Sequence, residues 1–236
     1  MEIIGVIGAM EEEVALLRPK MQGAVASSAA GTQFLTGELF GKRAVLVRCG
    51  IGKVHAALCV QAMYHMYGVT KIINTGVAGS LDPNLSVYDV VISKDVVQHD
   101  FDVAAFGYGL GHIPGVFTDK GASIFNADAS LIEAAAAACA KVAPTRRALV
   151  GRIASGDLFV QRKSDKDRVA STFSAACVEM EGAAIGHACY LNNIPFVIIR
   201  AISDTAAEEA GDQFLLNVVE AAAQGCAIVE EIFNGN

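Results

Sequence analysis

The chain has 236 residues, 53% hydrophobic and 18% charged, with a formal net charge of −7 and a pI near 5.2. That acidity argues against a nucleic-acid partner, which calls for a basic stripe; the only basic cluster, Arg162-Lys163 with Lys166, reads as a solvated connector. No apolar run reaches the ~18 residues of a membrane helix, and Glu11-Glu12-Glu13 follows the N-terminal run without a basic leader, so a cytoplasmic protein with no membrane contact is expected.

Strand-like and helix-like stretches alternate, which predicts an α/β fold, and no linker, low-complexity tract or repeat interrupts a single domain over residues 1–236. Residues 2–8 read as a buried first strand, with a helix starting in the acidic run behind it. Residues 33–39 and 43–49 flank a Gly41-Lys42 turn and predict a hairpin. Residues 53–67 read as a helix in which Cys59, Met63 and Met66 recur on one face. Short strands are expected at 71–75 and 88–93. Between 98 and 126 lies a long segment rich in glycine and aromatics, of the kind that carries function or an interface.

Residues 130–141 follow as a helix with a Ser130…Glu133 capping box. A strand is expected at 149–154, a helix opening at Ser164…Asp167, and a short strand at 177–179 running into a helix at 181–191. Residues 195–200 read as a buried strand. The last helix begins near Asp212 with Leu215, Val218, Val219 and Ala222 on one face. The six cysteines are scattered with no C-x-x-C pair, so neither a disulfide framework nor a zinc knuckle is expected.

Two glycine clusters invite motif readings and fail them. Gly5 and Gly8 lack the G-x-G-x-x-G fingerprint, and three carboxylates follow where a pyrophosphate would dock. Gly50-Ile51-Gly52-Lys53 has Val54 in place of the Ser or Thr of a phosphate-binding loop. What these clusters share is position. Gly8, Gly50-Ile51-Gly52, Gly76-Val77-Ala78-Gly79, Ser155-Gly156-Asp157 and Ser203-Asp204 all follow a predicted strand, and loops at the carboxyl ends of strands line the ligand site of an α/β sheet.

Carboxylates supply the chemistry. Glu11-Glu12-Glu13 suits the first turn of a helix, and one member turned inwards would serve as a general base. In Val178-Glu179-Met180-Glu181 two acids stand two residues apart at a strand-to-helix junction, where an extended chain aims both to one face. Arg200 ends a buried strand and needs an anion, either Asp204 or one of these glutamates. Separated acids around one pocket suit acid/base cleavage of a glycosidic bond. Histidines 55, 65, 99, 112 and 187 show no metal spacing, His99-Asp100 with Asp102 being their one cluster.

Ile7-Gly8-Ala9-Met10-Glu11-Glu12-Glu13, Gly50-Ile51-Gly52-Lys53, Asn74-Thr75-Gly76, Ala104-Ala105-Phe106-Gly107-Tyr108, Ser155-Gly156-Asp157, Val178-Glu179-Met180-Glu181 and Arg200-Ala201-Ile202-Ser203-Asp204 resemble, in the same order, the 5′-methylthioadenosine/S-adenosylhomocysteine nucleosidases. The resemblance covers nearly the whole chain. It implies a three-layer sandwich with a central mixed, largely parallel sheet of the nucleoside phosphorylase kind, working as a homodimer on a small adenine nucleoside without metal or cofactor.

By the same resemblance Glu13 deprotonates the attacking water, with Arg200 ordering both, and Asp204 protonates the adenine. Glu181 and Met180 hold the ribose, Phe159 and Val160 meet the base, and Ile51 and Phe214 close the pocket. Ala9, Met10, Val77, Glu179 and Ser203 complete it. Val103, Phe106 and Pro114 cover the 5′-alkylthio group from the second subunit. Val77 departs from the serine of many relatives. A phosphorylase is the nearest competing reading, a silent nucleoside binder the next. Three glutamates beside the first glycine loop disfavour phosphate, since a like charge at ~4 Å costs about 4 kcal/mol at an effective dielectric of 20.

Overall fold

The computed structural model describes residues 2–206 and 210–235. Strand β1 (Ile4–Gly8) is buried along its whole length because it is flanked on both sides, in parallel, by β4 (Lys42–Arg48) and β5 (Lys71–Ser80). Such interior strands are apolar on both faces, hence the unbroken Ile-Gly-Val-Ile-Gly. β2 (Met21–Ala29) and β3 (Thr32–Leu39) extend the sheet outward from β4 as antiparallel neighbours.

On the other side the sheet closes on itself. β5 pairs with β10 (Phe196–Asp204), which pairs with β6 (Val90–Gln98). From β6 the order runs through β8 (Ala148–Ser155) and β9 (Cys177–Glu179) back to the far end of β5. β7 (Ile124–Asn126) adds to β6. The expected mixed sheet is therefore present, its pairings among the described residues divided evenly between parallel and antiparallel. The antiparallel share comes from the β2–β4 meander, from β7, and from the two joints that close the ring.

Helices cover both faces, giving three layers. α1 (Lys53–Tyr67) packs with α4 (Gly182–Asn192) over one apolar cluster, and α2 (Ala129–Val142) packs with α5 (Ala210–Asn234) over another. α3 (Lys163–Phe173) lies against β8. Among the described residues no helix is long and apolar enough to cross a membrane. All six cysteines are buried and free.

Several expectations change. The acidic run does not open a helix: residues 9–17 form successive turns that end in a 3₁₀ turn at Arg18–Lys20. The cause is Glu13, whose carboxylate folds back onto the amides of Ala9 and Met10 instead of pointing outward. β2 escaped the sequence reading because it is a mostly exposed strand of small residues, with Gly23 at φ 60° and a register break between Gln22 and Val25. β5, β6 and β10 each run past their expected ends, to Ser80, Gln98 and Asp204; in β5 the reason is that Gly76 and Gly79 look like strand breakers and are strand interior.

The cap of α2 is Asp128, not Ser130. Its carboxylate accepts the Leu131 amide at 3.1 Å and the Ser130 hydroxyl at 2.5 Å. On α1, Cys59 and Met63 are buried but Met66 borders an open cleft beside β2 and β3. On α5, Val218 and Ala222 are buried while Leu215 and Val219 are exposed. The buried stripe follows Val218, Ala221, Ala222, Gly225 and Cys226, and the other two fall beside it.

Candidate active site

A cavity of about 370 Å³ opens where β1, β5, β8, β9 and β10 end. Ala9, Met10 and Glu13 enter it from the turns after β1, and Ile51 from the turn after β4. Val77, Ala78 and Gly79 come from the last residues of β5. Leu158, Phe159 and Val160 follow β8, Val178 to Glu181 span the β9–α4 junction, Ser203 and Asp204 end β10, and Phe214 reaches in from α5. Seven chain segments thus converge, six of them at strand ends and one from α5, at the usual ligand position for this architecture.

Glu13 is buried, and three main-chain donors hold its carboxylate. Oε2 accepts the amides of Ala9 at 2.6 Å and Met10 at 3.0 Å, and Oε1 accepts the amide of Val77 at 3.1 Å. Burial raises its pKa, against the opposing pull of Arg200 and those amides. The Val77 amide serves Glu13 whatever its side chain. That side chain packs with Ala201, Val218, Ala221 and Ala222 under α5.

The anion that buried Arg200 requires is Glu179. Nε and Nη2 both donate to Glu179 Oε2, while Nη2 also reaches Asn74 Oδ1 at 2.6 Å and Nη1 donates to the Ile199 carbonyl. Arg200 therefore lies behind the wall, reaching Glu13 through its field and not through a hydrogen bond. Glu179 is equally committed. It takes the hydroxyl of Ser155 and the amides of Glu181 and Gly182, so it borders the cavity as an anchor with both oxygens engaged. Two acids expected on one face thus divide: Glu179 turns to the arginine, and Glu181 faces the cavity with Oε1 accepting the Gly52 amide at 2.8 Å. Burial, then the neighbouring Glu179, pushes the Glu181 pKa up to about 8.

Asp204 closes the opposite end. Its Oδ1 accepts the Ala206 amide at 2.8 Å and its Oδ2 the Ser203 hydroxyl at 2.9 Å. Burial raises its pKa too, partly offset by those two donors. Space for both outer carboxylates comes from β5. A Cβ at Gly76 would stand 2.5 Å from Glu13 Oε1, and one at Gly79 would stand 2.7 Å from Asp204 Oδ1. Three residues of strand separate the two, a rise of roughly 10 Å.

The remaining wall is apolar, and among the described residues it carries no Lys or Arg. Phe159 and Phe214 meet edge to face, with ring centroids 5.9 Å apart. Ala78 and Gly79 line the cavity as part of the loop expected there, and Val178 as the first residue of the Val-Glu-Met-Glu run; Leu158 also belongs to the lining and was not named from the sequence, since a lone aliphatic residue beside a motif carries no chemical signal. Val103, Phe106 and Pro114 stay outside this chain's own cavity, with Phe106 78% exposed on the 3₁₀ turn Ala104–Phe106. No cluster of three potential metal ligands occurs among the described residues.

Comparison with known proteins places this geometry in a family. Residues 3–234 match the model of the phosphorylase superfamily. A 5′-methylthioadenosine/S-adenosylhomocysteine nucleosidase of Geobacillus kaustophilus is 44% identical over 223 residues, covering 93% of this chain and 92% of its own. The nucleosidase of that name from Neisseria meningitidis, solved in complex with methylthio-immucillin-A, superposes with a TM-score of 0.94 at 40% identity, with both chains fully covered. The futalosine hydrolase of Helicobacter pylori strain 26695 gives 0.92 at 32% identity, covering 100% of this chain and 98% of its own. The chain belongs to the phosphorylase superfamily, within its group of 5′-methylthioadenosine/S-adenosylhomocysteine nucleosidases.

Proposed function

We propose that this protein hydrolyses the N-glycosidic bond of 5′-methylthioadenosine and S-adenosylhomocysteine, releasing adenine and the 5′-thio-ribose. The observation that carries the reading is a pair of buried carboxylates, Glu13 and Asp204, set at opposite ends of a cavity whose wall carries no Lys or Arg among the described residues. Breaking the bond leaves positive charge on the sugar and negative charge on the base. Asp204, whose hold on a proton is strengthened by burial, donates to N7 of adenine and makes it a neutral leaving group. Glu13, fixed by three amides beside the field of Arg200, takes the proton of the water that attacks C1′.

Glu181 and Met180 hold the ribose hydroxyls, Phe159 and Val160 meet the base, and Ile51, Phe214, Ala9, Met10, Val77 and Ser203 shape the rest. Glu179 and Arg200 act from behind as a fixed ion pair. In a homodimer, Val103, Phe106 and Pro114 of one subunit close the 5′ side of the other's cavity, which gives exposed Phe106 a function.

Phosphorolysis would need cations or several open amides for a phosphate nucleophile. Here Arg200 is already spent on Glu179 and Asn74, and the amides nearest the attacking side are taken by Glu13. The test is adenine release from methylthioadenosine by purified protein, with and without phosphate. Release without phosphate, alongside free methylthioribose, is expected. A strict need for phosphate would make the enzyme a phosphorylase and remove the role of Glu13.

A further inference from the structure

The single His/Asp cluster of the sequence, at His99 and Asp100, has no part in the chemistry above, yet it sits at a junction. Asp100 follows β6 and its carboxylate is shared between two other segments. Oδ1 accepts Lys53 Nζ at 2.7 Å, and Oδ2 accepts the main-chain amide of Asp157 at 2.9 Å. Asp157 answers in kind, its Oδ1 accepting the Lys53 amide at 2.9 Å, and Lys53 Nζ also reaches Gln98 Oε1 at 3.1 Å. The three residues form a closed ring of charge-assisted hydrogen bonds, the stronger class of such contacts.

What the ring joins gives it meaning. Lys53 is the residue after Gly52, whose amide holds Glu181, and two after Ile51. Asp157 is two residues before Phe159 and three before Val160. The main chain just before Asp157 rests on His99: a Cβ at Gly156 would lie 2.5 Å from His99 Nε2, so only glycine lets the chain settle onto that buried ring. The sugar side and the base side of the cavity therefore come from separate turns that meet at Asp100.

We infer that Asp100 is a positioning residue for the reaction, acting through Lys53 and Asp157 to set the turn that orients Glu181 against the loop that carries Phe159 and Val160. This rests on the assignment of ribose to Glu181 and adenine to Phe159 made above. A nucleoside spans both turns, so its reacting bond feels their relative placement, whereas free adenine touches the base side alone. Misplacement of about 1 Å at a reacting centre costs up to ~10²-fold.

Steady-state kinetics with methylthioadenosine and the affinity for free adenine would be measured on wild type, D100N, K53M and K53R. D100N and K53M are expected to lose about 10–100-fold in kcat/KM, mostly in kcat, while binding adenine as wild type does. K53R, which keeps a donor for Asp100, is expected to recover most of the loss. Should D100N fold poorly, K53M carries the test, because its main-chain amide still serves Asp157. Kinetics indistinguishable from wild type in K53M would overturn the inference. So would a loss of adenine affinity parallel to the loss of turnover, since that marks general damage to the pocket. If wild type itself releases no adenine, it is the nucleosidase reading that has failed, and this role goes with it.

Discussion

At Gly76 and Gly79 the hydrogen atom does what no side chain can, leaving room on a strand for the end of a carboxylate. A methyl group at position 76 would push Glu13 off the three amides that fix it, with Arg200 only 3.2 Å from the same point. G76A is therefore expected to lower kcat by about 10²-fold, as displacement of a general base would, with a much smaller loss of melting temperature. Removing the chemistry outright, E13Q and D204N are each expected to lower kcat by at least ~10² while thermal unfolding stays cooperative. Near-normal turnover in either variant would strip that residue of its assigned step. Although which of Glu11, Glu12 and Glu13 turns inwards came only from the family resemblance, acids and glycines after strands are few and distinctive and so were legible in the sequence. The division between Glu179 and Glu181 was not, since it depends on an arginine that arrives from another strand.

Elements were legible in proportion to how far their own sequence decides them. α1 and β9 lie where the pattern predicts, because helical periodicity or a short apolar run is enough. β2 and the tails of β5 and β10 depend on partners distant in sequence, and a glycine inside a paired strand looks like a break until the partner is known. The acidic turn after β1 shows the reverse case, local helix signals overridden by one buried side chain. The cap of α2 is a matter of two residues, and it can be measured. Asp128 satisfies the Leu131 amide, so D128A is expected to cost about 1 kcal/mol. For a chain of this size that is a fall of roughly 2–4 °C in melting temperature, with kcat/KM unchanged. A loss of activity instead would mean that α2 does more than cover the sheet.

For the molecule as a whole, the site is a place where stability is given up. Glu181 binds its proton more tightly in the fold than in the unfolded chain. Its contribution is therefore fully present below its ordinary value of 4.5 and is lost as pH rises through about 8. Glu13 and Asp204, also raised by burial, act in the same direction. E181Q, which cannot ionise, is expected to gain melting temperature on wild type steadily across that window while losing turnover. A constant difference at all pH values would show that the site's charge does not limit the fold.

The six buried thiols give the protein a built-in record of its own motions. Cys59, Cys139, Cys189 and Cys226 mark α1, α2, α4 and α5, Cys177 marks β9, and Cys49 the turn after β4. Burial lifts their pKa values, to about 11 for Cys139 and Cys226 and further for Cys49, Cys59, Cys177 and Cys189, so almost no thiolate exists at neutral pH. The native molecule should resist air and disulfide reagents without added reductant, and each sulfur should be labelled only as fast as its own element opens. Mass spectrometry of partly labelled protein would then rank the helices by local opening, without a single engineered probe.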